Sequence, residues 1–222
     1  PDPVLGGRVY VGGCDLAGGR PSGGLAAWDG EEWQQLGQGV FGQVTPISLI
    51  HGDLGGGGRL IAGGEFTIND GTTIRYLGAW DGTSWSRVGA LPNRPVRALV
   101  VTEAFGHPML FAAGDFSAVG SVPAAYIAAY DGVGWHALGE GLDGIVHAMA
   151  MHDDGTGPAL YVAGEFTNAG GAQVNKKSYA MHQRKNPQQR GAQLPYVDED
   201  LWAKMCVKQA AEFQQLPQRA SG

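Results

Sequence analysis

Four acidic residues recur at a spacing of 50 in related stretches of the chain. Three of the stretches read "LIAGGEFTINDG", "LFAAGDFSAVGS" and "LYVAGEFTNAGG", and a fainter copy reads "VYVGGCDLAGGR". Carboxylates gathered round one axis could hold a Ca²⁺-type cation or accept hydrogen bonds from a polyhydroxylated ligand. Alternatively, each carboxylate accepts backbone N–H bonds in its own Gly-rich turn. The ligand-binding candidates are Asp15, Glu65, Asp115 and Glu165.

Paired carboxylates could also support glycoside hydrolysis, which needs two carboxyl groups about 5–9.5 Å apart. Catalytic pairs need two different environments, whereas a repeated row supplies similar ones, and this counts against catalysis. The sequence contains no nucleophile-elbow, phosphate-loop or dinucleotide motif. The residues therefore leave the question of enzymatic activity open, and no catalytic residue is assigned.

Secondary candidates fall at turns and at places where one copy departs from the others. A second acidic row with the same spacing follows the fourth strand of each predicted unit, where surface turns are expected. One histidine replaces Gln34 and Ser86 of the other copies, and another replaces Gly52 and Thr102. Such departures indicate either that the histidine has a specialised function in that copy or that the sequence has drifted at an exposed turn. These candidates are Asp53, Glu103, Asp153, His136 and His152.

The elements that must position these residues form a repeat of about 50 residues. Each apolar opening strand is followed by a segment such as "LGAWDGTSWSRVG", whose Asp-Gly pair predicts a hairpin, and then by an alternating strand such as "VRALVVT". Four antiparallel strands per unit is the pattern of a β-propeller blade. The prediction is all-β, with three full blades at about 9–53, 60–103 and 110–153 and a partial fourth from Leu160. Paired aromatic positions are expected to fill the space between blades.

The repeats "VHAMAMHDDGTGPALYVAGEFTNAGG" and "IAAYDGVGWHALGEGL" resemble the kelch-like propeller repeats of secreted bacterial proteins, especially the Gly-rich arrays typical of planctomycetes. The resemblance covers about residues 4–175. It implies a secreted, cell-surface or periplasmic β-propeller without fixed chemistry, since fold does not determine function. The leading hypothesis is thus a binding or scaffolding module for glycan or protein ligands. The alternatives are a polysaccharide hydrolase and a propeller fragment without separate activity.

The repeat domain, 1–175, gives way to a non-repeat basic tail, 176–222. The two parts carry formal charges of −10 and +4. Periodicity and capping residues predict an amphipathic helix at about 199–216 in the tail. An interrupted fourth blade leaves a sheet edge open to pairing. A homodimer could close the ring, the tail could cover the edge, the blades could stay an open stack, or the chain could be a fragment.

The net charge and the lengths of the apolar runs limit the classes of partner that the chain could bind. A net charge of −6 argues against nucleic acid, and no apolar run reaches the roughly 20 residues of a transmembrane helix. The chain has two cysteines, Cys14 and Cys206, without metal-ligand spacing. They either pair in one long-range disulfide or remain two thiols.

Overall fold

Antiparallel strands make up the described part of the chain. The structure, a computed structural model, describes residues 8–37, 39–50, 59–70, 72–103, 108–153, 158–170, 172–173 and 206–207. These residues contain no helix, and so none of them forms a helix long and apolar enough to cross a membrane. The predicted all-β class is confirmed for this part of the chain.

The described strands follow one another in short succession along the sequence. In chain order they are β1 (Val9–Ala17), β2 (Arg20–Trp28), β3 (Trp33–Gln35), β4 (Phe41–Ile50), β5 (Arg59–Asp70), β6 (Thr72–Trp80), β7 (Trp85–Ser86), β8 (Val96–Thr102), β9 (Met109–Gly114), β10 (Ala118–Val119), β11 (Val122–Pro123), β12 (Ile127–Tyr130), β13 (Trp135–Ala137), β14 (Val146–Asp153), β15 (Pro158–Gly164), β16 (Asn168–Ala169), β17 (Ala172–Gln173) and β18 (Cys206–Val207).

The described strands form four main sheets, numbered here from the amino-terminal end. The first sheet is β1-β2-β3, the second β4-β5-β6-β7, the third β8-β9-β12-β13 and the fourth β14-β15-β18. Two short ribbons, β10-β11 and β16-β17, accompany the third and fourth sheets. The second and third sheets are therefore complete four-stranded units.

The sheets are one strand out of step with the predicted units. The alternating strand that was expected to close a unit instead opens the next sheet, because β4, β8 and β14 pair with β5, β9 and β15. The boundaries predicted at 9–53, 60–103 and 110–153 are therefore wrong by one strand. The physical reason is the short connection between β8 and β9, which makes these consecutive strands natural antiparallel neighbours.

Three apolar clusters lie between successive sheets, so the sheets stack face to face as the repeat predicts. In β5, Leu60 and Ala62 face the first sheet, and Ile61 between them faces the third. Strands buried on both faces need apolar side chains in succession rather than in alternation. This requirement explains the continuous apolar run that opens each repeated stretch.

Aromatic pairs join the sheets at their hairpin ends. The rings of Trp80 and Trp85 lie 5.4 Å apart, and those of Tyr130 and Trp135 lie 5.2 Å apart. Trp85 Nε1 donates to the carbonyl oxygen of Leu36 at 3.2 Å, and Trp135 Nε1 donates to that of Val88 at 2.8 Å. Each acceptor belongs to the preceding repeat, and thus these tryptophans fill and hydrogen-bond the space between sheets.

The Asp-Gly hairpins are confirmed. In each hairpin the Asp side chain accepts hydrogen bonds from the backbone N–H groups two and three residues later, at 2.8 to 2.9 Å. The following glycine has a left-handed backbone, which costs a residue without Cβ little. The pairs concerned are Asp29-Gly30, Asp81-Gly82 and Asp131-Gly132.

Two tail residues add a third strand to the fourth sheet. Val207 pairs with Leu160 and Cys206 with Tyr161, just as Tyr130 and Ala129 pair with Leu110 and Phe111 in the third sheet. The open edge of β15 offers the backbone groups for this pairing, and the predicted helix stays a prediction. The rest of the helix predicted at about 199–216 lies outside the described residues. So does the Cys206 side chain, and the disulfide with Cys14 stays a prediction.

Candidate functional site

Each repeated "G-[DE]-F" triplet places an acidic residue at the end of a buried strand. The glycine allows close approach of the preceding strand, because a Cβ on it would lie within about 3 Å of a valine Cα: 3.0 Å at Gly64, 3.0 Å at Gly114 and 2.8 Å at Gly164. The phenylalanine enters the core, as Phe116 shows at 0% exposure. The carboxylate between them is directed outward, and the three residues in this position are Glu65, Asp115 and Glu165.

One guanidinium, that of Arg97, pairs directly with Asp115 and interacts electrostatically with the other two carboxylates. Arg97 donates from Nη2 to Asp115 Oδ2 at 2.8 Å and from Nε to Asp115 Oδ1, which makes a bidentate ion pair. This hydrogen bonding raises the pKa of Arg97 against the effect of burial, and the charges of Asp115, Glu65 and Glu165 raise it further. All three carboxylates therefore lie within electrostatic reach of Arg97.

A second row of polar side chains runs beside the carboxylates. The residue after the first paired valine of β4, β8 and β14 is exposed in all three strands. His147 Nε2 lies 3.0 Å from Glu165 Oε1, which repeats the contact of Arg97 with Asp115 one sheet later. Sequence reasoning missed this row, although it is the variable position of the "V-x-A-L" strand. Its members are Thr45, Arg97 and His147.

We call these two rows together the polar edge, which consists of Glu65, Asp115, Glu165, Thr45, Arg97 and His147. Arg97 and His147 each keep 42% of their side-chain surface exposed, and Glu165 keeps 62%. Asp115 is more enclosed, at 18%. The polar edge is therefore an accessible surface on the ends of three stacked sheets. Asp115 and Glu165 each contact a side chain of a neighbouring strand, Arg97 and His147 respectively.

Asp15 does not belong to this row, and its prediction as an equivalent of Glu65 is wrong. Val9 pairs with Trp28 as Leu60 pairs with Trp80, so the first and second repeats are offset by 51 residues rather than 50. Cys14 consequently occupies the position of Glu65. Asp15 is exposed in β1, and Cys14 Sγ lies 3.6 Å from the carbonyl oxygen of Val11. The even spacing of 50 was a coincidence at this one position.

Two tyrosines hold strained backbones beside the carboxylates. Tyr76 and Tyr126 have φ values of 66° and 64°, in the left-handed region that bulky residues rarely occupy. Tyr126 accepts from Gly114 N at 3.0 Å and donates to Phe116 O at 2.8 Å, so its backbone brackets Asp115. In the second sheet the β5–β6 ladder is irregular between Gly63 and Thr67, and such an irregularity re-aims the side chain of Glu65. Gly24 takes the place of these tyrosines in the first repeat, with φ of 83°.

Polar side chains fix the loops that lead into the strands of the polar edge. Asp143 accepts from Asn168 N at 2.8 Å and from the hydroxyl of Thr167, and Asn93 accepts from Ser117 N at 3.1 Å in the third sheet. The hydrogen bond from the Thr167 side chain is the largest of several that lower the pKa of Asp143. These contacts tie the loop before β14 to β16 and so fix the approach to His147.

The two histidines among the secondary candidates contact residues outside the polar edge. His136 Nε2 lies 2.9 Å from Asp131 Oδ2, and Gln34 donates to Asp29 Oδ2 at 2.6 Å in the first hairpin. His136 thus takes the role of a turn-bracing residue. His152 contacts the edge of the Tyr161 ring, at 5.6 Å between centroids.

The second acidic row is remote from the polar edge. Glu103 directly follows β8 and Asp153 ends β14, both are exposed, and both lie at the strand ends opposite Arg97 and His147. Asp53 lies outside the described residues. Within the described ranges, no group of three or more His, Cys, Asp or Glu side chains is arranged to hold a metal ion. The Ca²⁺-type cation at the carboxylates stays a prediction.

Comparisons with protein-family models, with curated proteins and with solved structures give no match for this chain. The resemblance to kelch-like repeats therefore stays a prediction based on the repeated motifs.

Proposed function

We propose that the chain is a β-propeller-type binding and scaffolding module of an extracytoplasmic protein, and that its polar edge binds glycan. The observation that carries the proposal is that hydrogen-bond acceptors and donors lie side by side along the edge. Glu65, Asp115 and Glu165 form one row, and Arg97 and His147 stand beside it.

Glycan hydroxyl groups fit such an edge better than ligands that carry only positive or only negative charge. A carboxylate only accepts hydrogen bonds and a guanidinium only donates them, whereas a hydroxyl group does both. Adjacent hydroxyls of a sugar can therefore bridge Arg97 and Asp115, or His147 and Glu165, without leaving either partner unsatisfied. The side-chain exposure of 42% at Arg97 and 62% at Glu165 leaves these atoms accessible to a ligand.

Calorimetric titration with a panel of neutral and acidic oligosaccharides tests this proposal. For an oligosaccharide that binds the unaltered chain, Asp115→Asn and Glu165→Gln should each weaken binding by about tenfold, because each removes a charge-assisted hydrogen bond. Glu103→Gln is the matched control, since it removes an exposed carboxylate at the opposite strand end, and it should leave binding unchanged.

Two outcomes would contradict the proposal. Equal affinity of the Asp115 and Glu165 variants with the unaltered chain would show that the polar edge is not the binding surface. Release of reducing sugar that the same substitutions abolish would show hydrolysis rather than binding alone.

A further inference from the structure

Within the described part of the chain, the first sheet has an exposed face whose counterpart is buried in every later copy. Leu60 and Ala62 of the second sheet are 0% exposed, but the equivalent Val9 and Val11 are 57% and 37% exposed. Trp28 and Trp33 on the same face are half-buried, whereas their counterparts in the second sheet are buried. We call Val9, Val11, Trp28 and Trp33 the leading face.

The leading face is already shaped like the buried faces. The rings of Trp28 and Trp33 lie 5.4 Å apart, the same distance as between Trp80 and Trp85. The tilt is also the same, 47° in one pair and 49° in the other. An aromatic pair that keeps this geometry without a covering sheet is preorganised for packing against a partner.

The internal interfaces show what kind of surface covers such a face. It is the far face of a neighbouring sheet, with small and branched apolar side chains and a main-chain carbonyl directed at the second tryptophan. Leu36 provides that carbonyl for Trp85, and Val88 provides it for Trp135. Among the described residues, no acceptor contacts Trp33 Nε1. The partner of the leading face is therefore expected to be another sheet of this type.

The described part of the fourth sheet carries the apolar portion of such a surface at the other end of the stack, and no counterpart of the Leu36 and Val88 carbonyls is among its described residues. Phe111 and Ala113 of the third sheet are 0% exposed because the fourth sheet covers them. Their equivalents Tyr161 and Ala163 are half-buried and exposed, and Ala148 and Ala150 of β14 are exposed beside them. We call Ala148, Ala150, Tyr161 and Ala163 the trailing face.

We propose that two copies of this chain associate with the leading face of each packed against the trailing face of the other. This contact continues the sheet-to-sheet interface that the chain repeats internally three times. Two such contacts related by a twofold axis close the assembly, so no leading or trailing face remains for a third copy. The described sheets of two chains number eight, within the usual four to eight blades of a propeller.

Sedimentation velocity of the full chain tests the association. An apolar sheet-to-sheet contact of this kind gives a Kd of about 1 µM or lower, so dimers are expected at tens of micromolar. Val11→Lys on the leading face and Ala150→Lys on the trailing face should each raise the Kd at least about tenfold, because each would bury an unpaired charge. Val133→Lys is the control, since Val133 is 74% exposed in a hairpin turn away from both faces.

Mixing the two interface variants identifies the arrangement. Each variant keeps one unaltered face, so an equimolar mixture should form one intact contact and recover dimers that neither variant forms alone. Unchanged dimers of Ala150→Lys would overturn the proposal in favour of leading face against leading face. A monomeric unaltered chain at about 100 µM would also overturn it, with the tail as the remaining cover for the trailing face. Thermal unfolding of each variant confirms that it is folded.

Discussion

Gly114 is the position at which the repeated motif can be tested most directly. The residue has an ordinary φ, so replacing it with alanine introduces no backbone strain of its own. The added Cβ would lie 2.9 Å from Arg97 N and 3.0 Å from Val96 Cα, and closer still to Pro95 O. All of these are backbone atoms of β8 or of the residue before it, and no side-chain rotation can relieve the contact.

The size of the effect follows from these distances. Carbon atoms pack without repulsion at about 3.5 Å, so β8 and β9 must separate by roughly 0.5–1 Å. Such overpacking costs about 1–3 kcal/mol, and weakening the bond from Asp115 N to Pro95 O adds about 1 kcal/mol. The lower entropy of the unfolded alanine chain returns about 0.4–1 kcal/mol. We expect Gly114→Ala to lower the free energy of unfolding by about 2 kcal/mol.

Urea unfolding followed by tryptophan fluorescence measures this change. Gly134→Ala is the matched control, because its added Cβ meets no atom within 4 Å and its φ is also ordinary. The control should raise the free energy of unfolding by up to about 1 kcal/mol. If Gly114→Ala is as stable as the unaltered chain, β8 does not approach β9 as closely as described, and the explanation of the glycine is refuted.

Three further predictions concern the hairpins and the interfaces between sheets. Trp135→Phe keeps most of the ring but leaves the Val88 carbonyl without its donor, and it should lower the free energy of unfolding by about 1–3 kcal/mol in urea titrations. Against the opposing effect of burial, hydrogen bonds from Ser84 and Thr83 lower the pKa of Asp81 from 3.8 to about 2. The stability that this carboxylate contributes is therefore present above pH 3.8 and lost as the pH falls toward 2; Asp81→Asn should flatten that part of the stability–pH curve, and an unchanged slope would contradict the assignment. His136→Gln should leave the melting temperature within about 2 °C, because Gln34 already serves the same role in the first hairpin, and a larger loss would show that the imidazole does more than brace the turn.

Local signals in the sequence predicted the strands, the hairpins and the stacking of sheets. Asp81-Gly82 and its counterparts are sufficient to predict the hairpins, because the Asp side chain accepts hydrogen bonds from backbone groups only two and three residues away. The burial of the paired tryptophans was predictable for a similar reason, since large flat rings at a repeated position need a surface to cover them. The strands that share a sheet were predicted wrongly, because the alternating strand of a tandem repeat can pair with the strand before it or with the strand after it along the chain.

Some residues of the candidate site could likewise be found from the sequence and others could not. The outward carboxylates could be found from "G-[DE]-F", whereas Arg97 and His147 could not, because they contact their partners across 18 residues through strand register. Register also excluded Asp15, since one additional residue between repeats shifts a side chain to the other face of its strand.

By itself, the sequence determined an all-β repeat whose strands are buried on both faces and whose turns close on their own aspartates. These features depend on interactions between residues that are close along the chain. Only the tertiary structure decided that β8 opens a sheet, that Cys14 rather than Asp15 matches Glu65, and that Val207 pairs with the edge of the fourth sheet. Those outcomes depend on backbone pairing between distant segments, and a repeated pattern allows several registers of nearly equal local energy.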